Sequence, residues 1–263
     1  MILLLEATVV IGVAGTVALA GRFLDWKGAL AGALLGYIYY LGGGRLHFAS
    51  VLTFLVVGGL ATRYRYREKH GEKRGVRTWS NVLANGTVAA GVAGYAAFSQ
   101  MDRGLGLAMF MGAVSAAFTD TMATELGMLS RRKPVTITSL REAEPGTPGA
   151  VTPEGLTYSL VAPVSLTAVI AVLDSGLAGQ VHLWLAITVF TGFIGSVLDS
   201  VVGALFQSRY RCVACGRAVE VRKHCGVPTQ YVGGSRYFNN DTVNLVATLS
   251  GALSGYLLGL LLL

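Results

Sequence analysis

Basic residues fall into four short segments of this chain, and long apolar stretches with almost no charge separate them. Of the 21 Lys and Arg residues, 19 lie in segments 21–27, 63–80, 126–155 and 207–240. If the apolar stretches cross a bilayer in pairs, all four basic segments face the same side. Loops rich in Lys and Arg are typical of the cytoplasmic side of membrane proteins. The pattern therefore predicts a multi-pass protein of the cell membrane, with its N-terminus outside and its basic loops cytoplasmic.

The composition also favours a membrane location. Hydrophobic residues make up 53% of the chain and charged residues only 13%, whereas a soluble domain carries about 25% charged residues. A membrane-spanning helix needs about 20 mostly apolar residues. We therefore predict an all-α fold, a polytopic transmembrane helix bundle that forms a single membrane domain over residues 1–263.

Eight stretches are predicted to span the membrane. They are residues 2–20, 28–43, 46–62, 82–99, 103–125, 156–174, 180–206 and 241–262. The second stretch is short and the fourth is weakly apolar, so the sequence also allows six or seven true spans. Glycines recur every four residues in two of the stretches, a spacing that lets helix backbones approach closely in lipid. These glycines are Gly28, Gly32 and Gly36, and Gly251, Gly255 and Gly259.

Membrane topology accounts for most of the net charge of +7. The outer side keeps only Arg45 and Arg103, while the other basic residues face the cytoplasm. Some of these residues can meet anionic headgroups or phosphates there. We therefore expect the lipid bilayer as a partner and no nucleic acid. The sequence leaves the oligomeric state open.

Amide and carboxylate side chains occur near the cytoplasmic ends of four predicted spans. Such groups are costly inside a membrane unless they face protein, water or a ligand, so they mark candidate functional sites. They are Asn81 and Asn85, Asp120 and Glu125, Asp199, and Asn240, Asp241 and Asn244. Interhelical hydrogen bonds, ion pairs, solvated helix ends and helix caps are alternative explanations for individual members. Because four helices bring such groups to one membrane side, we predict a polar site near the cytoplasmic interface.

The carboxylates at Asp120 and Glu125 favour metal or phosphate chemistry over a merely solvated helix end, because Asp120 lies within its span. Two carboxylates repel each other unless a cation or a basic group lies between them. Oxygen-rich pockets with few carboxylates suit Mg²⁺, which keeps water ligands and bridges substrate phosphates. The segment around Asp199, LDSVVGAL, is similar to DTMATELG around Asp120, which hints at two related halves.

The basic segment 126–155 is predicted to be a cytoplasmic phosphate-binding loop. It begins with Arg131, Arg132 and Lys133 and contains four of the six prolines of the chain. Glycine and proline fix turns and let the backbone approach a ligand. Basic side chains together with exposed backbone N–H groups bind phosphates well. The residues best placed for such contacts in the loop are Gly146, Thr147 and Gly149.

The segment 207–240 is predicted to be a cytoplasmic Cys/His loop. It holds the three cysteines of the chain, Cys212, Cys215 and Cys225, and His224 lies beside the last of them. A C-x-x-C pair followed by glycine presents two thiolates to one metal ion. Cytoplasmic location disfavours a disulfide. The sequence therefore predicts a small zinc knuckle with four ligands, and free thiols are the alternative.

Seven segments resemble the signature segments of the integral membrane family that contains plant phytyl-phosphate kinase. The resemblance runs from about residue 77 to 250, and the segments are NVLANG, DTMATELGMLSRRKP, PGTPGAVTPEG, GSVLDSVVGAL, RYRCVACG, HCG and NNDTVN. It implies an enzyme that transfers a phosphoryl group from CTP, or another nucleoside triphosphate, to an isoprenoid monophosphate. The expected acceptors are phytyl or geranylgeranyl phosphate, and the product is the diphosphate.

Under this hypothesis the polar residues take distinct roles. Asp120 and Asp199 would bind Mg²⁺ or organise phosphates, with Glu125 and Asp241 in support, because phosphoryl transfer depends on positioning and charge neutralisation. Arg131, Arg132 and Lys133 would neutralise triphosphate oxygens. Amides would contact ribose, phosphate or metal-bound water, and these are Asn81, Asn85, Asn240 and Asn244.

Two other functions fit the sequence. A transporter with a polar intramembrane site would suit two half-repeats, although transport sites usually lie near the midplane. A cytidylyltransferase would make a CDP-linked lipid instead of a diphosphate, and the Asp-containing segments are loosely similar to those of phytol kinase, dolichol kinase and phosphatidate cytidylyltransferase. Release of CDP would mark the kinase, and release of pyrophosphate would mark the cytidylyltransferase.

Overall fold

A computed structural model describes residues 2–70, 75–219 and 221–263, so Lys73 and Arg74 of the second basic segment lie outside the described residues. The protein is a helix bundle with short strands in its loops. The helices are α1 Ile2–Ala20, α2 Trp26–Thr53, α3 Gly59–Arg63, α4 Tyr66–His70, α5 Trp79–Phe98, α6 Arg103–Gly127, α7 Pro153–Val161, α8 Val164–Leu173, α9 Ser175–Ala178, α10 Val181–Phe206 and α11 Asn240–Leu262. A π-helical turn, Phe54–Gly58, joins α2 to α3.

Within the described residues, six helical segments are long and apolar enough to cross a membrane. They are Ile2–Ala20, Trp26–Arg63, Arg103–Gly127, Pro153–Leu173, Val181–Phe206 and Asn240–Leu262. The all-α membrane bundle is thus confirmed, and the number of segments fits the six or seven spans that the sequence also allows. The predicted span 82–99 is the helix α5, but Asn81, Asn85 and many small residues dilute its hydropathy.

The segment Trp26–Arg63 contains two of the eight predicted spans and folds back on itself. Its backbone leaves helical geometry at Gly44, where φ is 75° and ψ is −164°. The rings of Tyr40 and Phe48 lie edge to face with centroids 5.8 Å apart. A Cβ built on Gly36 would lie 3.4 Å from Phe48, whereas 12 residues of straight helix span about 18 Å. The segment is therefore a helical hairpin, with its turn between the two predicted spans.

The helix α6 lies at the centre of the bundle. Nearly every residue from Gly106 to Thr119 is buried, and α6 packs against α5, α7, α10 and α11. The other spans expose large apolar side chains instead, for example Leu34, Phe190 and Leu257. An outer surface of this kind is unfavourable in water but matches lipid, while the backbone polar groups stay paired inside the helices.

Glycine allows α11 to lie directly against α6. A Cβ on Gly251 would overlap the carbonyl oxygen of Gly112, and a Cβ on Gly255 would overlap that of Ala108. This confirms the close packing that the glycine spacing predicts for the last span. In the other glycine repeat, a Cβ on Gly28 would lie only 2.8 Å from the carbonyl oxygen of Arg77.

All four basic segments meet at one end of the bundle. The Arg77 N–H donates to the Phe23 carbonyl at 3.0 Å, which joins the first and second segments. Lys69 pairs with Glu125 at the end of α6, at 2.6 Å. From the fourth segment, Gln207 and Asn240 line one cavity together with Arg77 of the second segment and Arg132 of the third. The fold therefore places the basic segments on one side of the bundle, as the charge pattern predicts.

The opposite end of the bundle carries two ion pairs. Arg45 Nε donates to Glu6 at 2.7 Å, and an Arg103 guanidinium nitrogen lies 2.8 Å from an Asp174 carboxylate oxygen. These are the two basic residues that the sequence assigns to the outer side. Each guanidinium is exposed and balanced by a carboxylate, so this end holds little net charge.

Short strands order the two basic loops, for which the sequence predicts no secondary structure. Strands β1 Val135–Thr136 and β2 Ala150–Val151 pair antiparallel, with Val135 opposite Val151. Strands β3 Arg209–Cys212, β4 Ala218–Val219, β5 Lys223–His224 and β6 Val227–Gly233 form a sheet in the order β4-β3-β6-β5. Strands of two residues have no readable alternation, so only the folded chain reveals them.

We predict that Gly251→Ala destabilises the bundle while Gly12→Ala does not. The new methyl group at 251 collides with the α6 backbone, and overpacking of this kind typically costs about 1–3 kcal/mol. Gly12 is an exposed helical glycine with open space around it. The measurement is thermal unfolding of both variants in the same detergent. Equal midpoints would contradict the close packing of α6 and α11.

Candidate functional site

A polar cavity of about 380 Å³ lies at the end of the bundle where the basic segments meet. Its walls come from α4, α5, α6, α10, α11 and the loop between α6 and α7. Of the residues predicted for the site, it is lined by Asn81, Asn85, Asp120, Glu125, Arg132, Gly146, Thr147, Gly149, Asp199, Asn240 and Asn244. The fold therefore collects most of the predicted residues in one place.

Two carboxylates from different helices face this cavity. Asp120 lies two turns before the end of α6, and Asp199 lies two turns before the end of α10. The hydroxyls of Ser196 and Ser200 and the amide of Asn244 line the same space. Hard oxygen donors with only a few carboxylates are the set that Mg²⁺ prefers, since it retains several waters. The chemistry of the lining thus fits a hydrated divalent cation.

Glu125 lines the cavity, but its charge is already balanced by a buried lysine. The Lys69 ammonium donates to Glu125 Oε2 at 2.6 Å and to the Ala61 carbonyl at 2.7 Å. The Lys69 side chain is 0% exposed and that of Glu125 is 12% exposed. Removing one partner from a buried pair leaves the other charge uncompensated, which is strongly destabilising. Glu125 therefore fixes α4 on α6, and its support of a metal ion stays a prediction.

Asp241 lies beside the cavity and positions one of its amides. The Asn81 side-chain amide donates to Asp241 Oδ1 at 2.8 Å, joining the first turns of α5 and α11. Asn81 also belongs to the capping box of α5 with Thr78. The described residues that line the cavity do not include Asp241. Asp241 therefore holds the start of α11 against α5 through Asn81, and its supporting role at a metal ion stays a prediction.

The loop between α6 and α7 forms one wall of the cavity through its glycines. Gly146 and Gly149 both have positive φ, 81° and 73°, a region that other residues enter at a cost. A Cβ on Gly149 would overlap Ala204 and the carbonyl oxygen of Ser200 on α10, whereas Gly146 has open space. Ile137 N–H donates to the Gly149 carbonyl at 2.9 Å, which fixes the turn against β1. The loop is thus held closely against α10.

The cations at the cavity differ from those predicted. The described lining includes Arg132 but neither Arg131 nor Lys133. Lys133 is 75% exposed and pairs with Glu142 at 2.8 Å on the outer edge of the loop. Arg131 is also exposed. Consecutive residues of an extended segment point in different directions, so a run of three cations cannot face one cavity together.

Arg77 is the cation that the sequence analysis did not single out. It lines the cavity, and its guanidinium lies 4.8 Å from the centre of the Phe54 ring. Burial lowers the pKa of Arg77, and the nearby Glu125 charge opposes this shift. Arginine stays protonated in proteins despite such shifts, so a fixed positive charge faces the cavity. The only sequence signal was its membership in the basic segment 63–80, which gives no direction for one side chain.

Tyr66 adds a hydrogen-bond donor to the same wall. Burial raises the pKa of Tyr66, and the negative charge of Glu125 raises it further. The phenol therefore keeps its proton at neutral pH and can donate to an anion. Like Arg77, it comes from the second basic segment and lines the cavity.

An apolar groove of about 110 Å³ adjoins the polar cavity. Its walls come from α1, α2, the π-helical turn and α5, and they include Ile11, Gly32, Gly36, Phe48 and Leu52. Three residues line both spaces, namely Arg77, Asn81 and Asn85. The groove therefore ends at a cation and two amides, which suits a molecule with an apolar tail and an anionic head.

The Cys/His loop brings its four predicted ligands together outside the cavity. The ligand atoms of Cys212, Cys215, His224 and Cys225 all lie within 4.8 Å of one another. The side chain of His224 lowers the pKa of the Cys212 thiol to about 6, whereas the neighbouring thiols, Cys215 first, raise the pKa of Cys225. One acidic thiol beside an imidazole is typical of clustered cysteines.

The helix bundle, with its lipid-compatible surface and a polar cavity at one end, defines an integral multi-pass membrane protein. The chain belongs to the integral membrane protein family DUF92, which it matches over residues 9–252. This membership, together with two plant relatives, confirms the family resemblance drawn from the sequence motifs.

Curated relatives include proteins of Methanocaldococcus jannaschii and Arabidopsis thaliana. Uncharacterized membrane protein MJ0933 of Methanocaldococcus jannaschii is 30% identical over 239 residues, covering 90% of this chain and 86% of the relative. Protein PGR of Arabidopsis thaliana is 27% identical over 253 residues, covering 87% and 86%. Protein VTE6, chloroplastic, also of Arabidopsis thaliana, is 26% identical over 247 residues, covering 89% of this chain and 65% of the relative. No solved structure matches the chain.

We predict that Gly149→Ala disrupts the cavity wall and that Gly146→Ala is the matched control. Both substitutions place a methyl group at positive φ, which costs about 1–2 kcal/mol. Only Gly149→Ala adds a collision with α10. Limited proteolysis of the loop should therefore accelerate much more in Gly149→Ala than in Gly146→Ala. Equal rates would show that the loop does not depend on its contact with α10.

Proposed function

We propose that this protein is a membrane kinase that transfers a phosphoryl group from CTP, or another nucleoside triphosphate, to an isoprenoid monophosphate. Phytyl and geranylgeranyl phosphate are the proposed acceptors, and the diphosphate is the product. The observation that carries the proposal is the junction of two spaces at Arg77, Asn81 and Asn85. An apolar groove for a tail meets a polar cavity for phosphates at this point.

Each of the two substrates would occupy one of the two spaces. The isoprenoid chain would lie among the glycines of α2, with its phosphate against the Arg77 guanidinium and the Asn85 amide. The triphosphate would lie in the larger cavity against Arg132 and the backbone of the loop at Gly146 and Thr147. Arginine binds phosphate through several N–H groups in a fixed geometry, which gives orientation as well as charge neutralisation.

The reaction needs positioning more than covalent assistance. A non-bridging oxygen of the isoprenoid monophosphate attacks the γ-phosphorus of the nucleotide, and the bond from that phosphorus to the β,γ-bridging oxygen breaks. The nucleoside diphosphate leaves with the electron pair of that bond, and the acceptor becomes the isoprenoid diphosphate. The attacking monophosphate oxygen is already anionic at neutral pH, so the step needs no strong general base.

Asp120 and Asp199 would hold the divalent cation, Mg²⁺, which supplies charge neutralisation on the phosphates. Ser196, Ser200 and Asn244 would orient its water ligands or the phosphate oxygens. Tyr66 would donate a hydrogen bond to the nucleotide. The cavity lies at the end of the bundle that carries the basic segments, so the positive-inside rule supports a cytoplasmic site.

We predict that Asp120→Asn abolishes diphosphate formation and leaves the fold intact. Asp102→Asn is the matched control, because it makes the same change on the same helix at its other end, where asparagine also caps well. Loss of one fixed charge at such a centre lowers the rate by about 10²-fold or more. Purified protein is incubated with Mg²⁺, CTP and geranylgeranyl monophosphate, and the lipid diphosphate is quantified.

The released nucleotide decides between the proposed reaction and its rivals. CDP in a 1:1 ratio with lipid diphosphate supports the kinase. Pyrophosphate together with a CDP-linked lipid would replace it with a cytidylyltransferase. Uptake of substrate into proteoliposomes without nucleotide consumption would replace it with a transporter. Normal turnover by Asp120→Asn would refute the assignment of this carboxylate.

We further predict that Arg77→Gln weakens turnover while Arg131→Gln does not. Loss of a hydrogen-bonded charge at the junction should lower kcat/KM for the isoprenoid phosphate by about 10- to 100-fold. Arg131 is exposed and lies outside the described lining, so its substitution should change kcat/KM by less than about twofold. Arg77→Lys should recover part of the loss. Equal effects of the two glutamine variants would contradict the junction as the phosphate site.

A further inference from the structure

We propose that Cys212, Cys215, His224 and Cys225 bind one structural Zn²⁺ ion, which holds the four-stranded sheet between α10 and α11 together. This site is separate from the polar cavity and does not depend on the proposed kinase activity. The proposal rests on the mutual distances of the four ligand atoms, on the turns that carry them and on the small apolar core of the sheet.

The distances match a single tetrahedral site. The Nδ1 atom of His224 lies 3.5 Å from Cys215 Sγ and 3.2 Å from Cys225 Sγ, and all four ligand atoms lie within 4.8 Å of one another. With Zn–S near 2.3 Å and Zn–N near 2.0–2.1 Å, ligand atoms of a tetrahedral site are about 3.5–3.8 Å apart. The four atoms need only small shifts to bind one ion.

Two similar turns present the ligands. In the first, Cys212 ends β3 and Cys215 lies three residues later, with the Gly216 N–H donating to the Cys212 carbonyl at 2.9 Å. Gly216 has a φ of 72°. In the second turn, His224 ends β5, and Cys225 and Gly226 have φ values of 51° and 78°. Because β3 and β5 both pair with β6, the sheet brings the two turns side by side.

The conformation of Cys225 is unusual for a residue with a side chain. Positive φ is unfavourable for such residues, but the two-residue hairpin turn between β5 and β6 requires it at both of its positions, Cys225 and Gly226. Here it directs the thiol towards Cys215 and the His224 ring. A metal ion that binds all three side chains would compensate for the strained backbone.

The sheet has too little apolar burial to be stable alone. Among the described residues of strands β3 to β6, the fully buried ones are Tyr210 and Cys212, while Val213, Val221 and Val232 in or next to the strands are exposed. Two of the four strands contain only two residues. Units of this size usually depend on a metal ion or on disulfides.

The donor set selects zinc over a disulfide. Three sulfurs and one imidazole nitrogen in a tetrahedral arrangement are typical ligands of structural Zn²⁺. A disulfide would use two sulfurs and leave the third thiol and the imidazole without a function. Metal binding uses all four side chains.

The position of the sheet explains what such an ion would achieve. The Ser235 N–H donates to the Phe206 carbonyl at 2.7 Å, and the Ser208 N–H donates to the Phe238 carbonyl at 2.8 Å. These bonds tie the end of α10 to the start of α11, where Asn240 and Asn244 line the polar cavity. A zinc ion in the sheet would therefore fix the connection that sets the spacing of these helices.

The test measures metal content in the full chain, purified in detergent without chelators and without a histidine tag. Inductively coupled plasma mass spectrometry should give one zinc ion per chain in the unmodified protein. Cys215→Ser and Cys225→Ser should each lower zinc to below about a tenth of that value, because a thiolate ligand is lost. Val213→Ser is the matched control, since this exposed residue lies in the same turn and is not a ligand, and it should keep one zinc.

Cobalt provides a readout that does not require the cysteine variants to fold. After removal of zinc from the unmodified protein, one equivalent of Co²⁺ should give the visible absorption of a tetrahedral site with sulfur ligands. Three thiols that react freely with Ellman's reagent in the protein as purified, with no zinc bound to it, would overturn the proposal. One reactive thiol and a disulfide would also overturn it, as would full zinc content in Cys215→Ser.

Discussion

The direct contact between α6 and the backbone of α11 is the constraint on which the rest of the bundle depends. At Gly112, Gly251 and Gly255 no side chain separates the two helices, and in lipid this close packing is a main source of helix association. It makes α6 the buried axis of the protein and fixes the ends of α6 and α11 at defined heights. The carboxylate of Asp120 and the amide of Asn244 consequently open into one cavity.

Two of the predicted carboxylates are engaged in contacts between segments of the chain. Lys69 balances Glu125 in a buried pair, and Asp241 accepts a hydrogen bond from Asn81. These contacts join elements that are distant in sequence and hold the mouth of the cavity in shape. Cations and hard oxygen donors thus line the cavity, while two of the predicted carboxylates, Glu125 and Asp241, stabilise the fold.

The proposed substrate follows from the relation between the apolar groove and the polar cavity. The apolar groove reaches the polar cavity at Arg77, Asn81 and Asn85, so a lipid tail and a phosphate group can be held at the same time. A soluble anion would use only the cavity, and an uncharged lipid would use only the groove. An amphiphilic phosphate would use both, which is why an isoprenoid phosphate is the proposed substrate.

Hydropathy and charge are sufficient to predict the membrane character and the common side of the basic segments. Polar residues within apolar stretches predict most of the side chains that line the cavity. Asp120, Asp199 and Asn244 could be predicted since each interrupts an apolar helix. The cations could not, because their direction depends on remote contacts. Arg77 is oriented by hydrogen bonds of its backbone with Phe23 and Asp25, whereas Lys133 turns outward to Glu142. Which charges line the cavity and which pair with each other depends on the tertiary fold, since burial and pairing arise when distant segments pack together.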